Sequence, residues 1–196
     1  MTDVGNTVGK KPQIVDPIGG EPLILVDDAD LEIGQMSKTD CHAGRGMLHR
    51  AFSLFIFNAR DELLLQQRSD HKRLWPNFWS NSCCSHPRYG ETMSSAIHRR
   101  LMEELGLSCP LEFLFKFKYQ AQYDGAGAEH ELCSVFFGRS STPVRPNWED
   151  IAAWRWVSVP QLERELDEGE HPFSPWFRLE WARIRQHYLD DILALE

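Results

Sequence analysis

Apolar and polar positions change period several times along the chain, and each change marks an element. The run "EPLILVDD" (21–28) reads as a strand, and "LEIGQMSK" (31–38) can pair back on it as a hairpin. A second apolar pair, "AFSLFIF" (51–57) and "LLLQQR" (63–68), is joined by "NARDE", a segment with hairpin-turn chemistry. Over "ETMSSAIHRRLMEELGL" (91–107) the period lengthens to that of a helix. Met93, Ala96, Ile97, Leu101 and Leu105 fall near one stripe, and Gly106 is a natural C-terminal stop. Alternation returns in "LEFLFKFKYQAQY" (111–123) and "ELCSVFFGR" (131–139), with "GAGAE" as the turn between them, and "AAWRWVSV" (152–159) is a further strand. Pro160 starts a helix over "PQLERELDEG". Ser174 as cap and Pro175 in the first turn open one long amphipathic helix to the end of the chain. Strands, a helix, more strands and then helices predict a mixed α+β domain over 21–196. Residues 1–20 lack periodicity and are expected to be loosely ordered.

Composition narrows the function classes. With 196 residues, 42% of them hydrophobic, the chain can bury one substantial core. A formal net charge of -8 argues against nucleic acid as the main partner, while leaving room for a small anion held by a local basic patch. No apolar run reaches the length of about 18 residues that a membrane span needs. The first residues also lack the apolar core of a secretory signal. Five cysteines without an export signal predict reduced thiols and a cytoplasmic location.

Candidate chemistry begins at "SNSCCSHP" (80–87), where two thiols stand beside a histidine. Half a zinc site, a redox pair and a nucleophile with its base are all open readings, although a disulfide between neighbours on an extended chain is strained. His42, His49 and His86 with Glu129 and Glu131 make a set of borderline and hard donors. The two carboxylates, two residues apart on a strand, share one side. Together these five suit a five- or six-coordinate divalent ion better than tetrahedral structural zinc, whereas any one histidine alone reads better as a surface or capping residue. Arg99 with Glu103 and Arg100 with Glu104 are also spaced as charge pairs on a solvated helix face.

The segment 85–107 resembles the Nudix box, G-x5-E-x7-R-E-U-x-E-E-x-G-U. Glu91, Arg99, Leu101, Glu103, Glu104, Gly106 and Leu107 fall in place, but Ser85 replaces the first glycine and Arg100 a metal-binding glutamate. From about Lys38 to Trp176 the chain is similar to the type I isopentenyl-diphosphate Δ-isomerases, a Nudix branch. The resemblance runs through "HAGRGMLHRAFSLFIFN", "LLLQQRSDHKRLWPNFWSNSCCSHP", "RRLMEELG", "FKYQAQYDGAGAEHELCSVF" and "FSPW". It implies a Nudix-like mixed sheet sandwiched by helices, with an additional N-terminal strand hairpin. It also implies interconversion of isopentenyl and dimethylallyl diphosphate for isoprenoid precursors. His42, His49, His86, Glu129 and Glu131 correspond to the family's metal site, for one Mn, Mg or Zn ion. Glu104 corresponds to the carboxylate that helps hold one Mg on the substrate diphosphate. Cys84, not Cys83, corresponds to the catalytic thiol, working with Glu131, Tyr119 and Trp176. Lys38, Arg68, Lys72 and Arg100 correspond to the diphosphate grip, so the helix has exchanged a metal ligand for a phosphate contact. The implied partner is a small allylic or homoallylic diphosphate, bound by a monomer or weak homodimer. A Nudix diphosphate hydrolase and a non-catalytic metal-binding module are the competing readings. Arg100 and the Cys84/Glu131 pair oppose the first, and the basic "RSDHKR" segment opposes a purely structural site.

Overall fold

The structure, a computed structural model, describes residues 22–195; the expectation for 1–20 lies outside them. In chain order the elements are β1 (Pro22–Val26), β2 (Glu32–Ser37), α1 (Lys38–Cys41), β3 (His49–Phe57), β4 (Glu62–Arg68), β5 (Trp79–Ser80), β6 (Cys83–Ser85), α2 (Met93–Leu105), β7 (Leu111–Tyr123), β8 (Gly127–Arg139), β9 (Ile151–Ser158), α3 (Val159–Glu168), α4 (Pro175–His187) and α5 (Leu189–Ala194). The expected N-terminal hairpin forms as β1 and β2.

β3 is the spine of the sheet. β8 runs parallel to it from His49↔Glu131 to Phe57↔Arg139. β1 (at His49), β6 (at 52–54) and β4 (at Phe57) pair antiparallel with it. A strand has only two edges, so β6 and β8 lie on opposite sides of β3. The period-two alternation of β3 then separates two apolar layers. Ala51, Phe55 and Phe57 pack toward Phe177, Trp181, Ile184 and Ile192 of α4 and α5. Phe52, Leu54 and Ile56 pack toward Ala96, Ile97, Leu101 and Leu105 of α2. Helices therefore cover both faces, the mixed sandwich the sequence predicts. A fully buried Leu or Phe in such a layer contributes about 1.5–3 kcal/mol.

β3 and β4 pair only near Phe57↔Leu63, and the polar run Ser80–Ser82 fills the region where they part. Ser82 Oγ accepts from Ile56 N at 2.8 Å and donates to the Leu64 carbonyl at 2.7 Å. Asn81 Nδ2 donates to the Cys83 carbonyl at 2.8 Å. These buried side chains satisfy backbone groups that a continuous ladder would pair.

Several local expectations change. "LEIGQMSK" ends as a strand at Ser37, whose hydroxyl caps α1 by accepting from Asp40 N, so Lys38 is helical. β8 begins at Gly127, which shortens the "GAGAE" turn. The long C-terminal helix is two helices divided at Tyr188 (φ -133°). Tyr188 leaves the helical register and stacks on Phe115 at 5.4 Å. The charges suit two dipoles, with Arg185 and His187 ending α4 and Asp190 and Asp191 opening α5. Ser174 precedes α4 but makes no side-chain cap bond; its hydroxyl lies 2.9 Å from that of Ser80. No helix among the described residues is long and apolar enough to cross a membrane.

Candidate active site

One cleft is lined by Lys38, His42, Arg68, Lys72, Cys84, His86, Arg100, Glu104, Tyr119, Glu129, Glu131 and Trp176. Every candidate residue from the sequence is there except His49, which is wholly buried against it. Alternation explains why Cys84 and not Cys83 faces the cleft. Cys83 is buried in the α2 layer, while Cys84 packs on the α4 side. All five cysteines are unpaired thiols, so no redox bridge forms.

The histidines and carboxylates converge as expected. Ligand atoms of His42, His49, His86, Glu129 and Glu131 all lie within 4.8 Å of one another. α1 holds His42 by its Nδ1, 2.6 Å from the Lys38 carbonyl, and His49 Nδ1 is 2.7 Å from the Met47 carbonyl. A carbonyl only accepts, so each Nδ1 carries the proton and each Nε2 offers a lone pair. His42 Nε2 lies 2.7 Å from Glu129 Oε2 and His49 Nε2 3.7 Å from Glu131 Oε1, ion-pair distances without hydrogen-bond geometry, and both Nε2 atoms and Glu129 Oε2 are buried with no hydrogen-bond partner. Buried polar atoms left unpaired are rare. Three imidazole nitrogens and two carboxylates turned on a common point fit a divalent metal ion. Burial first, then neighbouring His49, Lys38 and His42, hold the His86 pKa well below its ordinary value, the neutral form a ligand needs.

Glu131 is held from two sides. Tyr119 donates to Glu131 Oε2 at 2.7 Å, and His86 Nε2 is 2.8 Å from Oε1. Burial works against the charge on Glu131, but His49 and the Tyr119 hydrogen bond outweigh it and hold the carboxyl below its ordinary pKa. Burial and the nearby Glu131 push Tyr119 well up, so the phenol keeps its proton. The Cys84 thiol is pushed up to about 12 by burial, against the opposing Arg68 guanidinium, 3.9 Å from the sulfur. It is a protonated thiol at neutral pH.

The cations are held differently. Arg68 donates to the Trp75 and Leu74 carbonyls at 3.0 and 2.8 Å and lies 5.1 Å over the Trp176 ring. Lys72 is paired with Asp150, and Arg100 with Glu103, Glu104 and Asp150. Both expected helix-face pairs form, Arg99 to Glu103 at 3.1 Å and Arg100 to Glu104. Arg99 also clamps Glu91 through two bonds of 2.7 Å, fixing the turn before α2. Glu104 is buried and accepts from Gln66 Nε2 at 3.2 Å.

Four contributors escaped the sequence reading. Asp150 joins Lys72 to Arg100. Ser80 accepts from Trp176 Nε1 at 3.0 Å and so sets the ring. Arg73 donates to the Thr39 and Ala126 carbonyls, tying α1 to the β7–β8 turn. Glu180 lies buried behind the cleft on α4. The signals available were the polar "SNS" between apolar strands, the basic "RSDHKR" that contains Arg73, and the place of Glu180 on an apolar helix stripe.

Comparison with known proteins agrees with this geometry. Residues 47–177 match the family model described as the NUDIX domain. The chain is 42% identical over 174 residues to isopentenyl-diphosphate Delta-isomerase 1 of Photorhabdus laumondii, spanning 88% of this chain and 99% of that protein. It is 43% identical over 156 residues to the Aromatoleum aromaticum protein of the same name, spanning 80% and 88%. A crystal structure from Deinococcus radiodurans shares the fold, with a TM-score of 0.68 at 24% identity, covering 86% of this chain and 99% of that one.

Proposed function

The chain belongs to the NUDIX family and, within it, to the isopentenyl-diphosphate Δ-isomerases of isoprenoid precursor biosynthesis, and from that premise we propose how its own residues shift the double bond of isopentenyl diphosphate to give dimethylallyl diphosphate. One carbon must gain a proton and a nearby carbon must lose one, with positive charge developing between them. An alkene is a very weak base, so the donor must be aimed and water excluded. Cys84 and Glu131 fill the two roles, one giving and the other taking, so the proton count is unchanged over the cycle. The observation that carries this assignment is their convergence on one cleft from β6 and β8, on opposite edges of β3.

Tyr119 supports it, since a phenol that keeps its proton can hold Glu131 Oε2 in place through either protonation state. A divalent ion at the His/Glu cluster supplies a fixed positive charge that tunes Glu131. His42, His49, His86, Glu129 and Glu131 would hold it. Trp176 offers a ring face and no charge that could collapse onto a cationic carbon. Its contact with Arg68 supports that role, and such a face is worth up to about 2 kcal/mol when desolvated.

Lys38, Arg68, Lys72 and Arg100 grip the diphosphate, and Glu104 is the carboxylate for a magnesium ion arriving with it. Asp150 keeps Lys72 and Arg100 together before the anion enters. The diphosphate is then a handle whose binding energy positions the alkene, and phosphorus is not attacked.

Turnover of isopentenyl diphosphate in deuterium oxide, followed by phosphorus and deuterium NMR, tests the assignment. Diphosphate doublets should persist while deuterium enters the hydrocarbon, and Cys84→Ala should abolish label uptake with substrate affinity retained within about threefold. Full label uptake by Cys84→Ala would remove the thiol from the mechanism.

A further inference from the structure

Helix α4 presents two polar side chains one turn apart on the same face. Trp176 reaches the cleft, and Glu180 lies beneath it with 0% of its surface exposed. Glu180 Oε1 accepts from the Cys133 thiol at 3.5 Å, and Oε2 is buried with no partner. Cys133 Sγ also lies 3.6 Å from Ser53 Oγ, closing a small buried network. Each contact leads to a reaction group. Ser53 on β3 lies opposite Cys84 on β6. Cys133 follows Glu131 by two residues on β8, so both point to the same face.

An ionised carboxylate in this setting has no cation to offset its desolvation, only the weak polar influence of Cys133 and Ser53. The ionisable groups facing it are Cys133 and Glu131 from β8 and Cys84 from β6, with the neutral hydroxyl of Ser53 from β3. On its own helix the buried neighbours are Trp176, Phe177, Trp181 and Ile184, while Arg183, three residues on, is exposed and lies over the Phe115 ring. No lysine, arginine or histidine among the described residues bonds to it. A carboxyl so placed stays protonated.

We propose that Glu180 is a positioning residue for the isomerisation: as an uncharged acid beneath the cleft, it ties the strand of Glu131 to the helix of Trp176, and through Cys133 it reaches Ser53 on the strand that pairs with that of Cys84. The proposal rests on the assignment of those three residues to the reaction. In the neutral form its Oε1 accepts from Cys133 without adding charge. Once ionised, it puts a second negative charge behind Glu131 and Cys84, which disfavours the thiolate and the carboxylate alike. Burial, opposed by Ser53 and Cys133, raises its pKa from the ordinary 4.5 to about 8, so that change falls at the alkaline edge of the working range.

The test compares wild type with E180Q, which keeps the shape but cannot ionise, and E180L, which keeps neither oxygen. Steady-state rates with isopentenyl diphosphate should fall on an alkaline limb near pH 8 in the wild type, in kcat and not in KM. E180Q should lose that limb while its kcat at pH 7 drops about threefold, and E180L should lose about tenfold in kcat with KM unchanged. Infrared spectroscopy reads the acid without turnover. A protonated carboxyl band at pH 7 should vanish above pH 8 and be missing from E180Q.

Stability gives a third readout. The folded protein keeps a proton that the unfolded chain releases above pH 4.5, so wild-type stability should fall relative to E180Q from pH 4.5 up to about 8 and level off beyond. Absence of the infrared band at pH 7, or a wild-type alkaline limb in E180Q, overturns the proposal. Full activity of Cys84→Ala would instead overturn the reading of the reaction, and the infrared and stability results are independent of it.

Discussion

Two thiols adjacent in sequence meet opposite environments, because successive side chains on β6 point to opposite faces. Cys83 is wholly buried beside α2, so its sulfur is packing. Cys83→Ala should cost about 1 kcal/mol of stability by urea denaturation and leave kcat within about twofold. His86 stands two residues beyond Cys84 and reaches Glu131 directly. His86→Ala should release the bound ion, measured by elemental analysis, and lose turnover with it. An active His86→Ala enzyme free of metal would detach the cluster from catalysis. These residues were legible because their types and short spacings carry the signal, as in "CCSHP" and "EHE". Asp150 and Glu180 were not. Each acts through side chains far away in sequence, Lys72 for one and Cys133 for the other, and the only local sign is the place of Glu180 on the apolar stripe of Trp176, Phe177 and Ile184.

Elements with a sustained period were readable, and those set by tertiary contact were not. β3, β7 and α2 follow the patterns that predict them. β5 and β6 have two and three residues, too few to show alternation. α1 is a single capped turn, and its value lies in the Lys38 carbonyl that orients His42. The start of β8 docks on that turn. Ala128 N donates to the His42 carbonyl at 3.0 Å, and a Cβ on Gly127 would sit 2.2 Å from the same oxygen. Gly127→Ala must therefore push the hairpin away from α1 and pull His42 and Glu129 out of register. Metal affinity measured against a competing chelator should fall by tenfold or more, on the order of 1.4 kcal/mol. Unchanged affinity would mean that the hairpin gives way without moving the ligands.

Across the whole molecule, the hydrolase and isomerase readings of the same helix separate at Arg100. Its guanidinium occupies a Nudix carboxylate position and engages Glu103, Glu104 and Asp150. The same cleft holds the cations and the metal-type ligands together. Their relative placement depends on β3, which is paired along both edges and covered on both faces. A strand so enclosed has no local route to solvent; its amides open only when the domain unfolds. Hydrogen–deuterium exchange should find the amides of 52–56 among the slowest in the chain, while β7, which pairs only with β8, exchanges orders of magnitude faster along its outer edge. The separation of Cys84 from Glu131 is thus as durable as the folded state itself, and thermal motion of the surrounding loops leaves it unchanged.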